Sequence, residues 1–165
     1  MPGARSTCLA APGIFTAAAL FAAAAHGASC TVANSTLAFG SYNPVSGSAT
    51  TSNATITVTC GATISASTTV PFMLLLSAGA SGSVTARQMT GGTNNMPYNI
   101  YTSGSYSTVW DNTTGVSGSC PITGLLGIPV LTYGSISVTA YGRIPAAQPV
   151  SSGSYTDALT ITVSF

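Results

Sequence analysis

Charge is almost absent from this chain. Of 165 residues, 3% are charged, against roughly a quarter in an average soluble domain. There is no Lys and no Glu. The charged side chains are Arg5, Arg87, Arg143, Asp111 and Asp157, and His26 is the single histidine. Acid–base catalysis needs a titratable group placed beside the substrate, and the many serines have no base to activate them, so no enzymatic activity is expected. Nucleic-acid binding needs a basic footprint that is missing here. The cysteine spacings match no zinc pattern and no histidine beyond residue 26 can serve as a ligand, so neither a metal nor another cofactor is expected. Phosphate-loop readings fail too, because no Gly-rich stretch lies between a strand and a helix. An amphipathic helix of useful length, an internal repeat and a second domain are likewise missing.

What the chain does have is small polar and apolar residues in alternation. Its 45% hydrophobic content is enough for a core and argues against disorder. Ser and Thr replace charge on the surface, which leaves little electrostatic repulsion and favours association. Residues 155–165 alternate without a break: Tyr155, Leu159, Ile161, Val163 and Phe165 share one face with Asp157, and Thr156, Ala158, Thr160, Thr162 and Ser164 share the other. Period two marks a half-buried strand. A strand this apolar needs a neighbour on each side, and nothing follows it in the sequence, so completion by a strand from outside the chain is expected.

The same pattern recurs upstream. Strands are expected at 30–32, continuing through Leu37–Phe39 after a turn, at 54–60, 70–77, 84–89, 96–101, 106–110 and 131–141, with the last one launched by Gly153. The run 70–77 is continuously apolar and reads as covered on both faces. Residues 118–129 read as a looser segment without alternation. Strands every 8 to 15 residues with Gly, Pro and Asn between them predict an all-β, antiparallel sandwich.

Residues 1–28 read as a signal peptide. Arg5 and the amino terminus form a weak positive region, residues 14–25 are Ala-rich and apolar but too short to span a membrane, and small residues place cleavage between about 25 and 28. The domain proper is expected over 29–165, exported, with no transmembrane segment. Cys30 also ends a Gly-Ala-Ser-Cys sequence, but the Leu usual at −3 in a lipoprotein signal is absent. Three cysteines then remain, and an oxidising compartment favours one pair. A Cys30–Cys60 bridge would tie the first mature strand to the second, closing a loop of about 30 residues and contributing roughly 3–4 kcal/mol. Cys120 is left either buried and free or paired with another partner.

The ordered pieces Cys30-Thr-Val with Leu37-Ala-Phe-Gly-Ser-Tyr42, Val58-Thr-Cys60, Arg87-Gln-Met89, Tyr98-Asn-Ile-Tyr101, Val109-Trp110, Tyr141-Gly-Arg-Ile-Pro145 with Gln148, and Gly153-Ser-Tyr-Thr-Asp157 resemble the spore coat protein U domain. This is a family of secreted, Csu-type subunits of archaic chaperone–usher pili. The resemblance covers essentially all of 30–165. It implies an immunoglobulin-like, pilin-type sandwich lacking its last strand. Its partners would be a periplasmic chaperone, an outer-membrane usher and a neighbouring pilus subunit that donates a β-strand to the exposed sheet edge. On this reading the protein passes through the periplasm to an extracellular pilus, and Leu159, Ile161, Val163 and Phe165 line the chaperone and donor-strand groove. Polymerising relatives carry an alternating donor segment before the first cysteine. Here few residues separate the expected cleavage site from Cys30, so a tip or minor subunit is expected, with a role in surface adhesion and biofilm formation. A stand-alone secreted binding module or a coat structural protein is the alternative.

Other candidates have two readings each. Arg87 and Arg143 are either ligand contacts or loop anchors paired with Asp157, Asp111 or backbone carbonyls. Trp110 is either an adhesive anchor or core. Ile122, Leu125, Leu126 and Ile128 form either an exposed adhesive patch or part of the core. Asn34, Asn53 and Asn112 begin N-glycosylation sequons, a common pattern in an Asn- and Thr-rich chain.

Overall fold

A computed structural model describes residues 27–33, 35–91 and 93–165. The expected leader lies outside the described residues as far as residue 26, as does Asn34. Among the described residues nine strands follow in order: β1 Ser29–Val32, β2 Thr50–Ile64, β3 Thr68–Leu76, β4 Gln88–Gly91, β5 Asn94–Pro97, β6 Asn99–Tyr101, β7 Val116–Ile122, β8 Val130–Ile144 and β9 Ile161–Ser164. A 3-10 turn, Gly79–Ser81, follows β3. Among the described residues the strands make a four-stranded sheet in the order β1-β2-β8-β6, a three-stranded sheet β7-β3-β9 and a small β4-β5 hairpin. Every pairing is antiparallel, giving the antiparallel sandwich that the strand pattern predicts, in the immunoglobulin-like form that the resemblance implies.

Alternation decides what each strand buries. On β2, Ala54, Ile56, Val58, Cys60 and Ala62 point inward, while Thr51, Asn53 and Thr55 are exposed and Thr57 and Thr59 half-buried. Across the ladder, Ala54, Ile56 and Val58 stand opposite Ala140, Val138 and Ile136 of β8. From the other sheet, Val70, Phe72, Leu74 and Leu76 meet them. Complete burial of one such Leu or Ile stabilises by about 1.5–3 kcal/mol. Glycines allow the closest approaches. A Cβ on Gly118 would lie 2.6 Å from the Phe72 ring, and one on Gly134 would strike the carbonyl of Pro121 where the chain crosses between sheets. The bridge Cys30–Cys60 is formed, at directly opposed positions of β1 and β2. Cys120 is buried and free.

Several boundaries differ from expectation. Residues 35–42 join no ladder. The strand expected at 84–89 is confined to β4, and 96–101 is broken at Tyr98 into β5 and β6. Residues 106–110 form no strand, because Tyr106 takes a left-handed φ of 54° and only Val109 bridges back to Tyr101. Residues 116–122 form a regular strand, β7, and the loose segment begins after it. β3 is fully covered on one face only: Met73 and Leu75 are half-buried and Pro71 is exposed. The last strand is short. β3 stops at Leu76, so residues 155–160 lose that neighbour, and Thr156 pairs with Thr90 of β4 instead.

Candidate strand-acceptor groove

β1 and β9, edge strands of the two sheets, lie close together, and past them an open groove runs between the segments 35–42 and 150–161. β9 pairs with β3 alone; its first residue, Ile161, reaches the groove, and the rest of that wall is residues 155–159, which lead into the strand. The groove consists of two contiguous cavities of about 400 Å³ and about 760 Å³. Thr36, Leu37, Phe39, Met89 and Tyr155 line both. The floor comes from the sandwich interior: Ala54, Ile56 and Ala140 from the large sheet, Leu76 from β3 and Ile100 from β6.

Each wall is held by hydrogen bonds of its own. The first wall, residues 35–42, lies along β2 through Ser35 Oγ to the Thr55 carbonyl (2.9 Å) and Ser52 Oγ to the Ala38 carbonyl (2.6 Å). Leu37 and Phe39 press onto Gly142 of β8, where a Cβ would come within 2.7 Å of both side chains. At its end the Tyr42 hydroxyl donates to the Pro145 carbonyl (3.0 Å) and accepts from the Gln148 N–H (2.9 Å). The second wall, residues 150–161, is tied down at four points. Tyr155 bonds the Ser151 carbonyl, Thr156 and Thr90 exchange backbone bonds, Asp157 accepts from the Ala80 N–H and the Tyr98 hydroxyl, and Thr160 bonds Ser77. Both walls therefore keep their positions and leave the groove open between them, ending at an edge strand that pairs with β3 alone. An edge strand at the end of such a groove is a template for one more strand.

Below the second wall sits a buried cation. Arg87 is 0% exposed. It donates to the carbonyls of Leu76, Ser77 and Trp110 and to Asn99 Oδ1, at 2.8–3.2 Å. Burial pushes the guanidinium below its ordinary value, and the Tyr98, Asp157 and Asp111 side chains oppose that shift. Of its two expected roles, the residue takes that of backbone anchor, fixing the end of β3 next to the groove. Trp110 is core, 0% exposed, with its indole N–H on the Leu74 carbonyl at 2.9 Å. Burial first, and the bond to Asp157 second, raise Tyr98 well above the ordinary phenol value. Asp111 is a turn anchor. It accepts from the N–H groups of Gly115, Thr113 and Thr114 and from the Thr114 hydroxyl, which hold its carboxyl well below the usual carboxylate range.

Of the residues expected in the groove, Leu159 and Ile161 line it. Val163 is half-buried against the core, opposite Leu74. Phe165 lines neither cavity: the ladder ends at Ser164 opposite Met73, and Phe165 is 58% exposed. Ile122 is a correction to the expected patch. It shares the inward parity of Cys120 at the end of β7 and is 1% exposed. Leu125, Leu126 and Ile128 are 59%, 94% and 57% exposed at the tip of the β7–β8 loop, with Leu131 and Tyr133 exposed beside them. The wall at 35–42 was underestimated in the sequence. Its signal was the alternation of Leu37 and Phe39, which reads as strand although no ladder forms.

A family profile described as the Spore Coat Protein U domain matches residues 16–162. The chain belongs to the spore coat protein U domain family. Within it, the chain is similar to "Protein U" of Myxococcus xanthus, 31% identical over 137 residues, which covers 79% of this chain and 72% of that protein. Among solved structures, it is similar in fold to a chain in the CsuC–CsuE chaperone–tip adhesion subunit pre-assembly complex from the archaic chaperone–usher Csu pili of Acinetobacter baumannii. The TM-score is 0.52 at 17% identity, covering 84% of this chain and 40% of that one. The chain thus spans about two fifths of that neighbour's length. This member of the spore coat U family accordingly has the pilin-type sandwich fold.

Proposed function

We propose that this spore coat U protein is a pilus subunit whose fold is completed by a β-strand from another protein. The observation that carries the reading is the open groove between two separately anchored walls, lined by Leu37, Phe39, Leu159 and Ile161 and ending at the edge strand β9. A periplasmic chaperone would occupy the groove first, an outer-membrane usher would receive the complex, and a neighbouring subunit's strand would replace the chaperone's. The protein would therefore pass through the periplasm and act on the cell surface, by binding and assembly rather than catalysis. Leu159 and Ile161, with Val163 beside them, would supply the apolar contacts of the incoming strand. The exposed tip of Leu125, Leu126 and Ile128 supports an adhesive role, because it places large apolar side chains in solvent at one end of the sandwich.

The test uses the purified full-length secreted chain and synthetic peptides of alternating apolar and polar residues. Binding to the folded state alone raises stability with ligand concentration. A peptide with apolar alternation is expected to raise Tm in a concentration-dependent way and to protect the β9 amides from hydrogen exchange. A scrambled peptide does neither, and Ile161→Asp abolishes the effect. If the β9 amides are already fully protected in the isolated monomer and no peptide alters Tm, the groove is not an acceptor.

A second reading, a coat structural protein, is supported by the similarity to Protein U and by the family's name. It predicts recovery of the protein in an insoluble surface layer without fibres.

A further inference from the structure

The outer face of the large sheet carries a feature that strand exchange does not use. Tyr101 of β6 and Tyr141 of β8 are directly opposed across the ladder, as are Asn99 and Arg143. The 102–108 loop, Thr-Ser-Gly-Ser-Tyr-Ser-Thr, folds back over them. Its ends are pinned by the bond from the Thr102 N–H to the Thr108 carbonyl. At Gly104 the loop backbone comes close enough to Tyr141 that a Cβ would lie 3.3 Å from the ring. Tyr106 packs edge-on against Tyr101, with centroids 5.5 Å apart, and the Arg143 guanidinium sits 5.7 Å above the Tyr106 ring.

Three observations separate this cluster from ordinary surface. First, Tyr106 is held at φ 54°, a conformation that costs a non-glycine residue of order 1–3 kcal/mol and concentrates at ligand-binding positions. Second, Arg143 is the one exposed cation among the described residues, and among them it has neither a carboxylate partner nor a hydrogen bond; Arg87, by contrast, is buried and fully bonded. Third, the hydroxyls of Tyr101, Tyr106 and Tyr141 have no hydrogen bond within the described residues. The neighbouring Ser103, Ser105 and Ser107 hydroxyls bond one another in a chain, at 2.8 and 2.9 Å. Tyr, Ser and Gly around one Arg is the composition of adaptable binding loops. Tyr supplies rigid amphipathic area at low entropy cost, and Ser and Gly supply adjustable hydrogen bonds.

We propose that the 102–108 loop, with Tyr101, Tyr141 and Arg143, is a binding site for a carboxylate-bearing polysaccharide, a chain of uronic acid residues. The tyrosine rings offer flat faces to the C–H side of a sugar ring. The serine hydroxyls match sugar hydroxyls as both donors and acceptors. Arg143 supplies the fork that a carboxylate accepts in a bidentate manner. Charge complementarity selects the acidic sugar over a neutral one, because this surface has no other exposed charge to satisfy. The site lies on the sheet's outer face, so filling the groove leaves it open.

Calorimetric titration of the full-length secreted chain with an alginate oligosaccharide tests this, with a dextran oligosaccharide of equal length as the neutral probe. Alginate is expected to bind and dextran to bind at least tenfold more weakly. Arg143→Gln is expected to weaken alginate binding at least tenfold without changing Tm. Tyr106→Gly removes the ring while relieving the backbone, so it is expected to weaken binding while maintaining or raising Tm. Absence of alginate binding at millimolar concentration, equal binding of dextran, or binding unchanged in both variants would overturn the proposal. The groove-dependent peptide effect is measured separately and should be unaffected by either variant.

Discussion

The hydroxyl of Tyr98 donates to Asp157 Oδ2 at 2.7 Å, joining the floor of the groove to its second wall. The same carboxylate takes the Ala80 N–H at 3.0 Å, and its close approach to Gly79, at φ 68°, leaves no room for a side chain there. One residue thus links the turn after β3, the break between β5 and β6, and the lead-in to β9.

Removing either partner loosens the wall. Tyr98→Phe and Asp157→Asn are each expected to cost about 1–2 kcal/mol, and the double variant less than their sum, since a hydrogen bond to a charged group contributes about this much. Urea denaturation of the four proteins checks it. Tyr98 also predicts an alkaline limb. Its folded-state value is raised, so its contribution is complete below the ordinary phenol value of 10.0 and is lost as pH rises through the folded-state value. Tyr98→Phe should flatten that limb.

Asp111 should contribute to acid sensitivity. Asp111 and Asp157 are the only side-chain carboxylates in the sequence, and Asp111 is held well below the usual range by three backbone N–H groups and a hydroxyl. A depressed carboxylate contributes stability above its unfolded value, which is then lost as pH falls through the folded one. Stability is therefore expected to decline below about pH 4, and Asp111→Asn to show less of that decline. Denaturation midpoints from pH 2 to 7 measure it.

Arg87 is the most sensitive charged position. Arg87→Ala leaves the carbonyls of Leu76, Ser77 and Trp110 without their donor in the interior. Each buried unsatisfied group costs about 1–3 kcal/mol, so a loss of about 3–5 kcal/mol is expected. Arg87→Lys should recover only part, because an ammonium cannot reproduce the planar fork. Chemical denaturation under oxidising conditions, with Cys30–Cys60 intact, gives both values.

The loop tip should be separable from the fold. Leu126 is 94% exposed, so Leu126→Ser is expected to change stability by less than about 0.5 kcal/mol. If the tip is adhesive, the triple change of Leu125, Leu126 and Ile128 to Ser abolishes retention of the folded protein on a hydrophobic resin while Tm holds. Unchanged retention removes the adhesive role.

Much of the sandwich was legible because parity is a local property. The inward residues of β2 and β8 follow from alternation alone, whereas the unbroken apolar run of β3 hides its parity; Cys30 and Cys60 share the inward parity of their strands. Errors arose where parity was interrupted or continued unnoticed. Residues 118–122 contain two glycine or proline positions yet keep alternating, which put Ile122 in the core. The alternation of 155–160 is as clean as that of 161–164, but strand pairing depends on a neighbour, and β3 has already ended.

Length, composition and alternation by themselves determined a sparsely charged, antiparallel β protein, since hydrophobic period and charge content do not depend on distant contacts. Only the tertiary structure decided where the sandwich stays open. That outcome depends on which segments end beside β9, on Leu37 and Phe39 settling over Gly142, and on Asp157 reaching Tyr98 59 residues away. These are contacts between residues far apart in the chain, and local periodicity does not encode them.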